Sequence, residues 1–494
     1  RLVGSEMCIR DRTHTYQALM LVEKYMDNKA TAEAAAEAVR TIASKNSENF
    51  GGEPVRKALE KAIACFKEAG HADAGYAIDD INAILQRLPQ AAYIPIFGNA
   101  EWTVIALNPA QKASMNPKKI KKHEALTATT SDLWKITENG IAYTGGKNAI
   151  LGTGNYENFE LWFEWKGTGK AGLGVRSIRQ IDLGGDKSGA LSGNIKTKNT
   201  PEKVADNIAG EWNTVYVKVL NDRVTVSVNG VVTATNIILE NSCDRNIPAY
   251  VKGQLMLIGE GTPVEYREMY IRELPSTPKF NLPAEEAKEG FEILFDGTSM
   301  HKWTGNTTDY VPVDGTIYVT AQYGGSGNLY TVKEYSDFVF RFEFAFMREG
   351  VNNGVGIRTP MGVDAAYEGM EIQILDHDAP IYKGLREYQQ HGSVYGIIPA
   401  KRVKFPALGE WNTEEIRAVG DRITVTVNGE IILDGNIREA CQGHNVSEDG
   451  STKNPHTVDR KNHPGLFNKS GHIGFLGHGA GVKFRNIRIK DLSK

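Results

Sequence analysis

The chain lacks any apolar run of about 18 residues, so no membrane-spanning helix is expected. Cysteine is scarce: Cys8, Cys65, Cys243 and Cys441 are the 4 in 494 residues. None forms a C-x-x-C pair, which argues against a zinc ribbon or a thioredoxin-type site. Spacing does not decide whether Cys243 and Cys441 pair, and the redox compartment stays open. A large charge of one sign is also lacking. The net charge of -3 gives no reason to expect nucleic acid or an acidic membrane as partner. No cofactor is expected and no metal ligands are assigned, and metal dependence stays open. The first twelve residues (1–12, RLVGSEMCIRDR) resemble translated sequencing-adapter sequence and are set aside from fold reasoning. On that expectation the true N-terminus, with any signal peptide, is missing.

What is present begins with helical periodicity over residues 13–89. Ala35, Val39, Ile42 and Ala43 form one stripe, Leu59, Ala62, Ile63 and Phe66 a second, and Ile78, Ile81, Leu85 and Leu88 a third. Gly51-Gly52 and Pro54 mark a break, and Pro89 ends the series. Three short amphipathic helices bury little alone. They read as the last units of an α-solenoid, or as a small bundle docked on the next domain, and they offer an expected surface for a protein contact.

After Pro89 the period becomes two. Phe338, Phe340, Phe342, Phe344 and Phe346 share one strand face, with Arg341 and Glu343 on the other. The strand Ile423-Val425-Val427 ends in Asn428-Gly429, a strong hairpin signal. That hairpin occurs twice. Gly210-Glu211-Trp212-Asn213-Thr214 recurs as Gly409-Glu410-Trp411-Asn412-Thr413, and Asp222 to Gly230 recurs at the same offset as Asp421 to Gly429. Gly172 to Arg176 matches Gly354 to Arg358, and Val264 to Leu274 matches Val482 to Leu492. The order is preserved, so the expectation is a duplicated domain, at 91–274 and 290–494, joined by a proline-containing linker at 275–289. Many short alternating strands without a long helix, and 51 glycines for turns, predict a mainly β fold of two two-sheet sandwiches.

Alternation sorts the polar residues of the second copy. Arg358, Glu371, Gln373, His391, Ser393 and Tyr395 are expected to face outward, on three strands, with Val355, Ile357, Ile372, Ile374 and Val394 inward. For any one of them, ordinary solvation of a sheet face explains the polarity. The mixture of types, and its loss in the first copy, raises the set above that. His391 becomes Ser188 there, and Tyr395 becomes Ser192. Asp376 would share the core face unless the strand bulges or has ended. Asp376, His377 and Asp378 are adjacent, a spacing that rarely suits one ion. The segment from Cys441 to His478 carries His444, His456, His463, His472 and His478 and reads as a long loop. His478, between Gly477 and Gly479, is the accessible one by this reading.

The second copy resembles the 3-keto-disaccharide hydrolase domain. The matching segments are Phe295-Asp296-Gly297 with Trp303, Gly354 to Arg358, Glu371 to Asp376, Gly392 to Gly396, Gly409 to Asn412, His478-Gly479 and Phe484 to Ile487. The first copy resembles a degenerate member that keeps Arg176, Trp212 and Asn229-Gly230. The resemblance implies a concanavalin-like jelly roll, a periplasmic or secreted location, and cleavage of glycosides already oxidised at C3. A C3 ketone acidifies the C2 proton, its removal gives an enolate, and the enolate expels the C1 substituent. On this expectation His391 or Glu371 is the base and His478 or Tyr395 serves the leaving group. Arg358 and Gln373 hold the ketone oxygen, and Asp376 and Trp303 contact the sugar. Two other readings stay open: a conventional two-carboxylate glycosidase, and a non-catalytic carbohydrate-binding module resting on exposed aromatics such as Trp303 and Tyr395.

Overall fold

A computed structural model of the chain describes residues 14, 16–46, 50–70, 73–105, 116–128, 130–137, 140–194, 201, 203–242, 248–320 and 327–493. Residues 1–12, Cys8 and Cys243 lie outside these. Cys65 and Cys441 are free thiols, the latter buried. No described helix is long and apolar enough to cross a membrane.

The chain forms two compact units, Arg1–Ser276 and Thr277–Lys494. Most of the segment read as a linker therefore belongs to the second unit. There Glu286 accepts hydrogen bonds from Arg488 (2.6 Å) and Arg341 (2.9 Å).

In the first unit the three stripes form helices Ala32–Lys45, Gly52–Ala69 and Ala74–Arg87, and a helix the stripes did not include, Tyr16–Glu23, precedes them. Their shared core includes Val39, Ile42, Leu59 and Phe66 and extends onto the adjoining sandwich through Tyr93, Trp162 and Tyr270. Phe50 meets Trp162 edge-on at 6.0 Å and Tyr16 meets Tyr270 at 5.3 Å. The helices are thus docked on the outside of the sandwich, which covers apolar surface they could not bury by themselves.

Each copy is a jelly-roll sandwich of one eight-stranded and one five-stranded antiparallel sheet, with identical strand order. In the second copy the larger sheet runs Tyr310–Val313, Thr316–Val319, Val482–Asp491, Phe338–Phe346, Asn412–Val419, Arg422–Val427 and Glu430–Asn436, with Glu292–Phe295 added alongside Val482–Asp491. The smaller runs Trp303–Gly305, Leu329–Tyr335, Gly471–Gly477, Asn352–Thr359 and Met370–Leu375. Phe338, Phe340, Phe342 and Phe344 are fully buried, as their alternation predicts, and Phe342 packs on Phe475 of the facing sheet. The predicted loop from Cys441 to His478 is interrupted. Gly471–Gly477 is a central strand, and His472 on it is buried with Nδ1 against the Thr331 carbonyl.

Three expected site residues belong to the scaffold. Trp303 is 3% exposed, stacks on Phe475 at 5.6 Å and donates from its indole to the Leu294 carbonyl. It is a core residue and presents no face to a sugar. Arg358 is 2% exposed with a left-handed backbone at φ +49°. Its guanidinium donates to the Ser336 carbonyl (2.7 Å), the Gly420 carbonyl (2.7 Å) and Asp337 Oδ1 (2.9 Å). Arg176 repeats this in the first copy, with φ +50° and bonds to the Glu157 and Asn221 carbonyls and Asn158 Oδ1. A residue kept in both copies with all its donors on turns is a staple between sheets, not a ligand for a ketone. Asp376 follows the end of its strand, and its Oδ2 accepts from the Gly350 amide at 2.9 Å. It braces a turn.

Replacing Arg358 by Met leaves buried carbonyls and Asp337 without their donor, at a cost of about 2–4 kcal/mol. Urea denaturation of the full chain should show it. Arg176→Met should produce a matching loss in the first unit, whereas an arginine serving only a ligand would leave stability unchanged.

Candidate functional site

A cavity of about 290 Å³ opens on the smaller sheet of the second sandwich. It is lined by Asn352, Asp364, Tyr367, Glu371, Gln373, Tyr382, Gln389, Tyr395 and His478, with Ala366, Leu375 and Leu385 as apolar wall. Strand parity built part of it. Glu371 and Gln373, on one face of the edge strand, pair across the sheet with Gly356 and Gly354. Gly354 has a specific reason to be glycine. A Cβ there would sit 2.3 Å from Glu371 Oε1, so its bare backbone makes room for the carboxylate. Tyr395 is tied to the same strand by its amide, which donates to the Glu371 carbonyl at 2.9 Å. His478 comes from the residue after Gly471–Gly477.

The chemical centre is the pair Glu371 and His478, with Oε1 and Nε2 3.7 Å apart. Glu371 is 5% exposed, while the His478 side chain is 47% exposed. The Glu371 carboxylate raises the His478 pKa above the usual imidazole value, against the opposing effect of burial. Beside the pair, Gln373 Nε2 donates to Asn352 Oδ1 at 3.0 Å. Glu371 Oε1 and Gln373 Oε1 are buried and have no hydrogen-bond partner among the described residues. Acceptors left this way cost free energy unless a ligand or water supplies a donor, and they sit where a ligand would. Burial pushes the Tyr395 phenol up, so it is a neutral donor near pH 7.

His391 is not in this cavity. It is fully buried between the sheets against Phe344 (5.1 Å) and Phe405 (4.9 Å). Its Nδ1 accepts from the Leu375 amide at 3.1 Å, which places the proton on Nε2, 3.2 Å from Glu414 Oε2. Burial pushes the Glu414 carboxyl up and His391 opposes it. The alternation that assigned His391 outward fails at Gly392, whose φ of +78° turns the chain before Tyr395. In the first copy the registers put Val215 where Glu414 stands, and Ser188 replaces His391, so both members of the pair are absent together.

Sequence reasoning missed Asn352, Asp364, Tyr367, Tyr382 and Gln389. Asn352 was within reach, since it lies two residues before Gly354 on the same strand. The others come from turns and short helices, where alternation carries no information. Asp364 caps the helix Ala365–Glu368 by accepting from the Ala366 amide.

The first copy keeps a groove at the same place, about 490 Å³, lined among others by Lys170, Asp182, Ser192 and Glu260. Strand registers put Asp182 at the position of Gln373 and Glu260 at that of His478. The imidazole of the pair is gone there.

These features define a β-sandwich protein with a polar, carboxylate–imidazole cavity on one sheet, present once in two copies of the fold. The chain belongs to the 3-keto-alpha-glucoside-1,2-lyase-like domain family, which it matches twice, over residues 113–272 and 290–490. It is 27% identical over 256 residues to a 3-keto-disaccharide hydrolase of Bacteroides thetaiotaomicron, an alignment covering 45% of this chain and 86% of that protein. Two Parabacteroides distasonis structures described as candidate glycosyl hydrolases are also similar. One is 24% identical, with TM-score 0.36, covering 44% of this chain and 100% of its own. The other is 25% identical, with TM-score 0.35, covering 41% and 99%.

Two outcomes follow. In an NMR titration the His478 pKa should lie above the usual imidazole value and fall in Glu371→Gln, because burial alone lowers it. Stability from the pair should be full below the unfolded-state histidine pKa and fade as pH rises through the raised folded value. For the buried pair, His391→Ser should cost about 3–5 kcal/mol by leaving Glu414 uncompensated. Adding Glu414→Val, the first copy's combination, should recover most of it in denaturant melts.

Proposed function

We propose that the second sandwich cleaves 3-keto-glycosides by elimination across C1 and C2, with water then adding to complete hydrolysis. The observation that carries this is Glu371 held beside His478 in a cavity at the small end of the usual range of roughly 300–1,000 Å³. That size suits one sugar ring rather than a long glycan.

In this reading the Glu371 carboxylate takes the C2 proton, and the electron pair forms the enolate of the C3 ketone. The enolate reforms the carbonyl, a C1–C2 double bond appears, and the C1–oxygen bond breaks. Protonated His478 donates to the departing oxygen. Water added at C1 restores the saturated 3-keto sugar. The Asn352 amide, its carbonyl already committed to Gln373, and the Tyr395 phenol are the donors for the enolate oxygen. Gln373 Oε1 is left to accept a sugar hydroxyl. This assignment replaces His391 and Arg358, whose polar atoms are committed inside the fold. A periplasmic or secreted location is part of the proposal and rests on the family resemblance.

A conventional glycosidase needs a second carboxylate across the bond, at roughly 5–9.5 Å. Asp364 lines the cavity and is the candidate for it, but it is engaged as a helix cap. The first copy, without the histidine, fits a non-catalytic sugar-binding role better.

Incubation with a 3-keto-glucoside and with its unoxidised parent separates the readings. Only the keto sugar should be cleaved, and Glu371→Gln and His478→Ala should each slow that about 10²–10⁴-fold. Equal cleavage of the parent would support ordinary glycoside hydrolysis. Binding of both without turnover would reduce the domain to a module.

A further inference from the structure

The segment from Cys441 to His463 is long and has little regular structure, yet it is ordered by its own side chains. Asn454, fully buried, donates from Nδ2 to the His444 carbonyl at 2.8 Å and accepts at Oδ1 from the His456 amide at 3.0 Å. One amide thereby fixes the backbone under two histidines twelve residues apart in sequence. Their rings stack at 4.4 Å with an interplanar angle of 29°. Both turn a nitrogen to the same carboxylate: His444 Nδ1 is 3.5 Å from Glu448 Oε1, and His456 Nε2 is 3.9 Å from Glu448 Oε2. The three ligand atoms lie within 4.8 Å of one another.

We propose that His444, Glu448 and His456 bind a single divalent transition-metal ion, with zinc the expected occupant. Two imidazole nitrogens and one carboxylate oxygen are a donor set that zinc accepts, with water at the fourth position. Calcium, which takes 6–8 oxygen ligands, does not suit it. With bonds of about 2.0–2.1 Å, neighbouring ligands of a tetrahedral ion stand roughly 3.3–3.5 Å apart, so the present spacing needs only small side-chain adjustment.

None of the three lines the candidate cavity, so this is a separate site. Its effect would still reach that cavity's wall. Further along the same loop His463 Nδ1 lies 2.9 Å from the Ala366 carbonyl, and Lys461 Nζ donates to the Tyr367 hydroxyl at 2.8 Å. An ion clasping the loop would steady the backing of Tyr367.

The test uses the full chain, stripped with chelator and titrated with zinc chloride by calorimetry and with cobalt(II) by visible absorption. One equivalent should bind, with cobalt d–d bands showing nitrogen and oxygen coordination. His444→Ala, His456→Ala and Glu448→Gln should each weaken binding at least ~10-fold, since losing a group that merely orients a ligand already costs roughly 10–100-fold. His478→Ala should retain the equivalent, which separates this site from the Glu371–His478 cavity. Zinc should also slow proteolysis between residues 441 and 463. Absence of saturable uptake, or uptake that all three ligand variants retain, would overturn the proposal.

Discussion

The candidate cavity of the second sandwich is organised around one carboxylate held out of water. Glu371 is nearly buried, and one of its oxygens has no hydrogen-bond partner among the described residues. A charge held out of water costs free energy unless it is paired. The His478 ring provides the compensation, and the raised His478 pKa is the reciprocal sign of the same interaction. The geometry leaves little slack. Gly354 lies under the carboxylate with no room for a Cβ, and the strand beyond Glu371 carries Gln373 into the same cavity. A buried carboxylate beside an imidazole whose pKa it raises is the arrangement the proposed acid–base chemistry needs.

The duplication acts as an internal control on what the fold requires. Both copies keep the strand order, the left-handed arginine and its three acceptors. They diverge in the cavity, where glutamine becomes aspartate and histidine becomes glutamate, and in the core, where the His391–Glu414 pair is replaced by serine and valine. A sandwich of this type therefore folds without either polar pair. The cavity pair is the one to which the proposed chemistry is assigned. The core pair is attached to the same strand by the Leu375 amide, and Gln373 of that strand lines the cavity. Buried ion pairs rarely stabilise more than apolar packing does, and the first copy fills the same place with serine and valine.

How much was legible follows from where the backbone is extended. The repeat, the two sandwiches and the inward faces were readable because period-two alternation holds through strands such as Phe338–Phe346. Glu371 and Gln373 were placed by the same rule. It failed where φ turns positive: at Arg358, which swings its guanidinium onto turns, and at Gly392, which separates His391 from Tyr395. Trp303 failed for another reason. Its strand is three residues long, too short for alternation to show which face is covered. Asp364, Tyr367, Tyr382 and Gln389 were invisible because the elements bringing them to the cavity are short turns whose positions depend on long-range packing.

The long histidine-bearing segment shows the same limit from the other side. Its five histidines carried no period, and counting them could not separate those with structural roles from those with free chemistry. Three have committed environments: His463 between Ala366 and Asp459, His472 against Thr331, and His478 at Glu371. The remaining two, His444 and His456, converge on one glutamate because Asn454 bonds to the backbone of both. A buried asparagine serving two distant backbone groups holds them in a fixed relation whatever the solvent does. The arrangement of that loop is thus set by hydrogen bonds, and its tip could hold an ion without waiting for the ion to fold it.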